Sequence, residues 1–108
     1  MAKPYVVRLT RTAKTDLLRV AEWYAQRHPR GHERFVKDFA RAAKVLATFP
    51  EAGRPRTEIA NSRSWPVHPF VAFYSVDDER RTVFVERVIH GALDSDQDND
   101  ETLINDAE

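Results

Sequence analysis

Arg87-Val88-Ile89-His90-Gly91 brings together the two side chains of this chain best suited to handling a phosphate. A guanidinium stays charged in practice, and an imidazole gains or loses a proton near neutral pH. Arg54, Arg56 and Arg63 add three more cations, and His68 is a second candidate proton carrier. Metal-free cleavage of RNA needs such groups: a base for the 2′-hydroxyl, cations for the phosphorane and an acid for the leaving oxygen. The same residues also fit a plain structural role. Side chains alternate along a strand, so Arg87 and His90 fall on opposite faces unless the strand bends or ends between them. Gly91 permits such an ending, yet the preferred reading is that His90 closes the strand by hydrogen-bonding a nearby backbone or acidic group. His28 and His32 flank a turn and read as exposed. No clustered carboxylates accompany the histidines, so neither a metal site nor a cofactor is expected.

The charge balance narrows the class of partner. All 17 Lys and Arg precede residue 93, where they face only 10 acids, an excess of seven positive charges. The remaining acids, Asp94, Asp96, Asp98, Asp100, Glu101, Asp106 and Glu108, form a tail without a base. A basic body with an acidic end points to polyanionic partners or to self-shielding. The 94–108 segment reads as a flexible, solubilising tail. Docking of Leu103-Ile104 on the basic body is the alternative. With no cysteine, disulfide and thiol chemistry are excluded, and a cytoplasmic location is expected. No apolar stretch approaches the roughly 20 residues that span a bilayer, and the opening MAKPYVVRLTRTAK does not read as a signal peptide.

These side chains need elements to position them, and hydrophobic periodicity supplies six. Tyr5–Leu9 (YVVRL) is β-branched and of strand length. Thr10 or Thr12 then caps a helix whose apolar stripe is Ala13, Leu17, Ala21 and Tyr24, with Leu18 and Val20 widening it, ended by His28-Pro29. A second helix carries Phe35, Phe39, Ala42, Leu46 and Phe49 and stops at Pro50. So short a break between them makes a helical hairpin. Pro50–Ser62 reads as a loop. Ser64–Val67, interrupted by Pro66, suits an edge strand. Phe70–Val76 and Thr82–Ile89 make the closing hairpin, with Val83, Val85, Arg87 and Ile89 alternating against Phe84, Glu86, Val88 and His90. The predicted fold is α+β in the order β-α-α-β-β-β: one domain over 1–93, a small and mostly antiparallel sheet covered on one face by the hairpin.

In this order, several local motifs resemble the ParE/RelE superfamily, the toxins of type II toxin–antitoxin systems. They are Ala13, Asp16 and Leu17 at the start of the first helix, "FPEAGRPR" (Phe49–Arg56), a lone Arg63 entering the sheet, the hairpin "FVAFYSVDDERRTVFVERVIHG", and the ending His90, Gly91 and Asp94. The likeness covers residues 5 to about 94 and is closer to ParE, whose members typically show the "GRPR" loop and the "R.IHG..D" ending. One departure stands out: Leu93 occupies a position where ParE-like sequences usually carry arginine.

The resemblance implies one of two activities. ParE-like members inhibit DNA gyrase without chemistry of their own, and RelE-like members cleave mRNA in the ribosome. Both are held inactive by a cognate antitoxin, so a hetero-oligomer is expected. We read the chain as gyrase-directed and without catalytic residues. A RelE-like activity would fall to Arg63, Arg87 and His90, and a non-toxic, antitoxin-binding relic is the third alternative. The residues expected to grip a target or antitoxin are Arg54, Arg56, Arg63, Trp65, Tyr74, Arg87 and Trp23. For Arg63, the competing reading is an anchor pairing with Glu86 or an acid of the hairpin turn. Trp23 also fits the edge of the core. An apolar groove rimmed by arginine is expected between hairpin and sheet.

Overall fold

The computed structural model describes residues 3–92 of the 108. The acidic tail and Leu93 therefore lie outside the described residues. Strand β1 (Val6–Leu9) leads into helix α1 (Arg11–Arg27) and, after a turn through Pro29-Arg30, helix α2 (Gly31–Thr48). Strands β2 (Arg54–Pro55), β3 (Ser62–Val67), β4 (Phe70–Asp77) and β5 (Thr82–His90) follow. They form one sheet in the order β1-β5-β4-β3-β2. Only β1 runs parallel to its neighbour, β5; the other pairings are antiparallel. The α+β class and the β-α-α-β-β-β order are those read from the sequence, with the short β2 added inside the stretch read as a loop. No described helix is long and apolar enough to cross a membrane.

Thr10 caps α1, its hydroxyl accepting the Ala13 N–H at 3.1 Å. The helix ends where the His28 N–H bonds the Tyr24 carbonyl, just before Pro29. The core lies between the two helices and one face of the sheet. Val20, Tyr24, Phe35, Ala42 and Leu46 come from the helices and Val67, Phe70, Ala72, Tyr74, Val83, Val85 and Val88 from the strands.

Four sequence expectations are corrected. The buried stripe of α1 is Ala13, Asp16, Val20 and Tyr24, so Val20 is central rather than flanking, Leu17 and Ala21 are only half-buried, and Leu18 faces outward. The helix is rotated because Asp16 has partners on β5 that only an inward carboxylate reaches. Phe49 is 64% exposed, because the chain leaves the helical path at Thr48. β3 is not the outer strand where β2 covers Arg63 and Ser64, although Trp65–Val67 lie beyond that cover. The alternation of β5 breaks. Phe73 pairs with Arg87 but Tyr74 with Val85, so Glu86 is a bulge residue with no partner opposite it. The bulge moves Val88, rather than Arg87, into phase with buried Val83 and Val85.

Candidate functional site

Beyond Leu9 the chain leaves the sheet for α1, so β5 runs on past the end of its neighbour. Asp16, 3% exposed, fills that gap. Its Oδ2 accepts the Val88 N–H at 2.9 Å and Arg87 Nε at 2.8 Å, and its Oδ1 takes Arg87 Nη2 at 3.2 Å. This is a bidentate pair of the fork type, which fixes orientation as well as charge. The Asp16 side chain is almost fully buried while that of Arg87 is 46% exposed, so the guanidinium closes the lock from outside. The sequence did hold a signal for it. An acid lying three residues after Ala13 and four before Val20 falls on the apolar stripe, where a charge requires a partner.

His90, at the end of β5, packs against the same helix at a different level. Its ring centroid is 5.3 Å from both Trp23 and Phe70, and its Nδ1 accepts the Ala92 N–H at 3.1 Å. That bond closes the strand end as the sequence reading preferred. Asp16 and Trp23 are two helical turns apart, about 10 Å along the axis. Arg87 and His90 are thus held at different levels of α1 rather than brought together. Trp23 belongs to the core edge, edge-on to Tyr24 and Phe70, with Arg27 over its ring at 5.2 Å. His28 and His68 are exposed, but His32 is half-buried against Tyr24 and Phe35, contrary to the expectation of exposure.

Arg63 and Tyr74, paired across β3 and β4, organise the GRPR loop. The Tyr74 hydroxyl donates to the Pro50 carbonyl at 2.7 Å and accepts the Gly53 N–H at 2.9 Å. Burial raises its pKa above the ordinary phenol value, which keeps that donor protonated. Arg63 donates to the carbonyls of Glu51 and Gly53 at 3.1 and 2.9 Å. It therefore anchors the loop, but through backbone oxygens, not through Glu86, which accepts the Ser75 hydroxyl instead. Gly53 is required at this point: a Cβ there would stand 2.5 Å from the Tyr74 oxygen and 2.6 Å from the Ser64 carbonyl oxygen. Past the anchor, Arg54 is exposed at the outer strand, and the Arg56 guanidinium covers the Phe73 ring at 4.4 Å. Trp65 is half-buried beside the core.

A concavity of about 740 Å³ opens at the other end of the sheet, between Tyr5, Phe49, Glu51, Asp78 and Arg81. Arg81 lies over the Tyr5 ring and donates to the Lys3 carbonyl, and Tyr5 donates to Asp78 Oδ1 at 2.6 Å. None of the seven residues expected to grip a partner lines it, nor does His90. Among the described residues no group of three or more His, Cys, Asp or Glu could hold a metal ion.

The family described as "ParE toxin of type II toxin-antitoxin system, parDE" matches residues 7–94. The chain belongs to the ParE toxin family. Among solved structures, this ParE-family chain is similar to one in "Chromosomal ParDE TA system from P. aeruginosa". The TM-score is 0.68 at 23% identity, covering 82% of this chain and 98% of the other, a likeness of fold. It is also similar to a chain of the toxin–antitoxin complex RelBE2 from Mycobacterium tuberculosis, with a TM-score of 0.58, 32% identity, and 83% and 94% covered. A comparison with curated protein sequences gave no match. The Arg63 and Tyr74 anchors, the Gly53 turn and the Asp16–Arg87 lock all fall within the matched ParE span.

Proposed function

We propose that this chain is a toxin that inhibits DNA gyrase in the cytoplasm, arrests growth without chemistry of its own, and is neutralised by binding a cognate antitoxin in a hetero-oligomer. One observation carries the reading: the three side chains that RNA cleavage would require to converge are each engaged separately. Arg87 is locked to Asp16, Arg63 holds the Pro50–Gly53 loop from across β4, and His90 Nδ1 already accepts a backbone N–H. General acid–base catalysis needs its groups within hydrogen-bond reach of one reacting phosphate. The ParE family match and the ParDE complex among the similar structures support the antitoxin partner.

The gripping surface is best placed where Arg54 and Arg56 leave the anchored loop and Trp65–Val67 extend past β2. There an uncovered strand edge lies beside two cations, which suits strand addition by a partner segment. The second reading, ribosome-dependent mRNA cleavage, is favoured by the 32% identity to a chain of the RelBE2 complex. Expression of the chain without antitoxin separates them. Growth arrest with gyrase-dependent DNA breaks is expected. Cleaved mRNA, abolished in His90→Ala, would replace the proposal with the second reading. No growth effect would leave a binding relic, consistent with Leu93 at the family's arginine position.

A further inference from the structure

Helix α1 is fastened to the sheet through Asp16, Val20, Trp23 and Tyr24, which leaves Arg11, Lys14, Leu18, Arg19 and Glu22 on its outer side. Asp16 is the only acid between residues 3 and 21, and it is buried against Arg87. The outer face of α1 from Arg11 to Arg19 therefore carries Arg11, Lys14 and Arg19 with no negative charge among them, and Glu22 follows one turn beyond. Other cations do find acids: Arg34 and Arg41 pair with Asp38, Arg56 with Glu58, and Arg80 with Asp77. No such pair forms on this face among the described residues. The arrangement also opposes the helix dipole, since the first turn of α1 holds no acid and two of the cations stand at the positive end. In the centre Leu18 is 73% exposed.

The chain itself carries a matching polyanion. Residues 94–108 hold seven acids and no base, and the first four recur at every second position: Asp94, Asp96, Asp98 and Asp100. In an extended chain that spacing repeats about every 6.6 Å. The cations Arg11, Lys14 and Arg19 stand about 4.5 and 7.5 Å apart along the axis of α1, a spacing that brackets the aspartate repeat. The reach is sufficient. The described chain ends at Ala92, whose N–H bonds His90, and the His90 ring is 5.3 Å from Trp23 of α1. From Trp23 back to Arg11 is about 18 Å of helix. The segment that follows Ala92 spans up to about 50 Å when extended.

We infer that residues 93–108 dock along the outer face of α1, the aspartates of 94–100 facing Arg19, Lys14 and Arg11, and shield that face from other polyanions. Each contact is a weak surface ion pair. Covalent tethering supplies the partner at an effective concentration of order millimolar, so weak pairs suffice. The shield opens as salt screens it.

Zero-length carbodiimide crosslinking of the full chain, mapped by peptide mass spectrometry, reads the contact directly. Lys14 is expected to join carboxylates within Asp94–Glu101 at low salt and to lose those links at about 0.5 M salt. Links spread equally over Lys37 and Lys44 of α2, or none to Lys14, would overturn the inference. A second measurement uses short duplex DNA as the probe polyanion. The full chain with Asp94→Asn, Asp96→Asn, Asp98→Asn and Asp100→Asn should bind the probe about tenfold more tightly than the unsubstituted chain at low salt. Adding Arg11→Ser, Lys14→Ser and Arg19→Ser should remove that gain. If the gain survives without the α1 cations, or never arises, the tail does not shield this face. The substituted α1 positions are exposed, and both readouts are independent of whether gyrase or mRNA is the target.

Discussion

Asp16 holds Arg87 and the backbone beside it at once. Its Oδ2 stands 2.8 Å from Arg87 Nε and 2.9 Å from the Val88 nitrogen, although the residues lie 71 and 72 positions apart in the chain. One carboxylate thereby pins α1 to the bulged part of β5 and satisfies an N–H that β1 no longer reaches. Asp16→Ala should cost about 2–4 kcal/mol, since it orphans a buried N–H and a charge-assisted pair. Arg87→Ala should cost less, about 1–2 kcal/mol, because the guanidinium is half in solvent and the Val88 bond survives. Urea unfolding of both variants checks the order of the two losses. An equal or reversed order would mean that the ion pair, not the N–H bond, dominates the lock.

The Tyr74 hydroxyl predicts an alkaline limb of stability. Burial raises its pKa above the ordinary value of 10.0, so the folded chain holds the phenolic proton more tightly than the unfolded chain. That contribution is complete below pH 10 and is lost as pH rises through the folded-state value. Tyr24, raised by burial, and Tyr5, raised first by its hydrogen bond to Asp78, act in the same direction. Tyr74→Phe should lower stability at pH 7 by about 1–3 kcal/mol, since it strands the Gly53 N–H. It should also flatten the decline above pH 10, measured by denaturant midpoints across pH.

At the loop itself, Gly53→Ala should destabilise by about 1–3 kcal/mol through overpacking against the Tyr74 oxygen and the Ser64 carbonyl. Combined with Tyr74→Phe, the two effects should be less than additive, because removing the Tyr74 oxygen relieves part of the clash that the new Cβ creates. A double-mutant cycle in urea measures the coupling, and strict additivity would contradict the close approach.

Under the proposed gyrase-directed reading, His90→Gln should keep growth arrest while lowering the thermal midpoint, because glutamine cannot pack as a ring against Trp23 and Phe70. Removal of an aromatic pairing of this kind costs about 0.5–1.5 kcal/mol. A growth assay beside a thermal melt distinguishes the effects. Arrest abolished in a fully folded variant would point to chemistry at His90.

Arg54→Glu should do the reverse. The residue is exposed on the outer strand, so stability should change by less than about 0.5 kcal/mol. Growth arrest or antitoxin binding should weaken, and titration calorimetry with the antitoxin shows which. No change in either would remove Arg54 from the gripping surface.

Much of the fold was legible because it rests on periodicity. The helix-breaking Pro29 and Pro50, the β-branched runs of β4 and β5 and the Thr10 cap each follow from a local rule that tertiary contacts did not override. The parts that were not legible depend on partners distant in sequence. Leu17 and Ala21 made a plausible stripe until Asp16 turned the helix toward Arg87 and Val88. The placing of Arg87 in phase with Val83 and Val85 assumed an unbroken strand, and the Glu86 bulge is set by pairing with β4, which local composition does not encode. Two-residue β2 is too short to leave any pattern. At the candidate site the contacts that the structure gives Arg63, Tyr74 and Trp23 are with backbone oxygens and neighbouring rings, which carry no sequence signature.

The parallel pairing of β1 with β5 joins the first strand to the last. Val6–Leu9 have no sheet partner until Thr82–Val85 exist, and the Asp16 lock waits for Val88. On a translating ribosome, at about 5–20 residues per second, the N-terminal strand therefore remains unpaired for several seconds. The toxin fold is completed only as the final strand leaves the exit tunnel, so a nascent chain stopped before that point carries no assembled toxin.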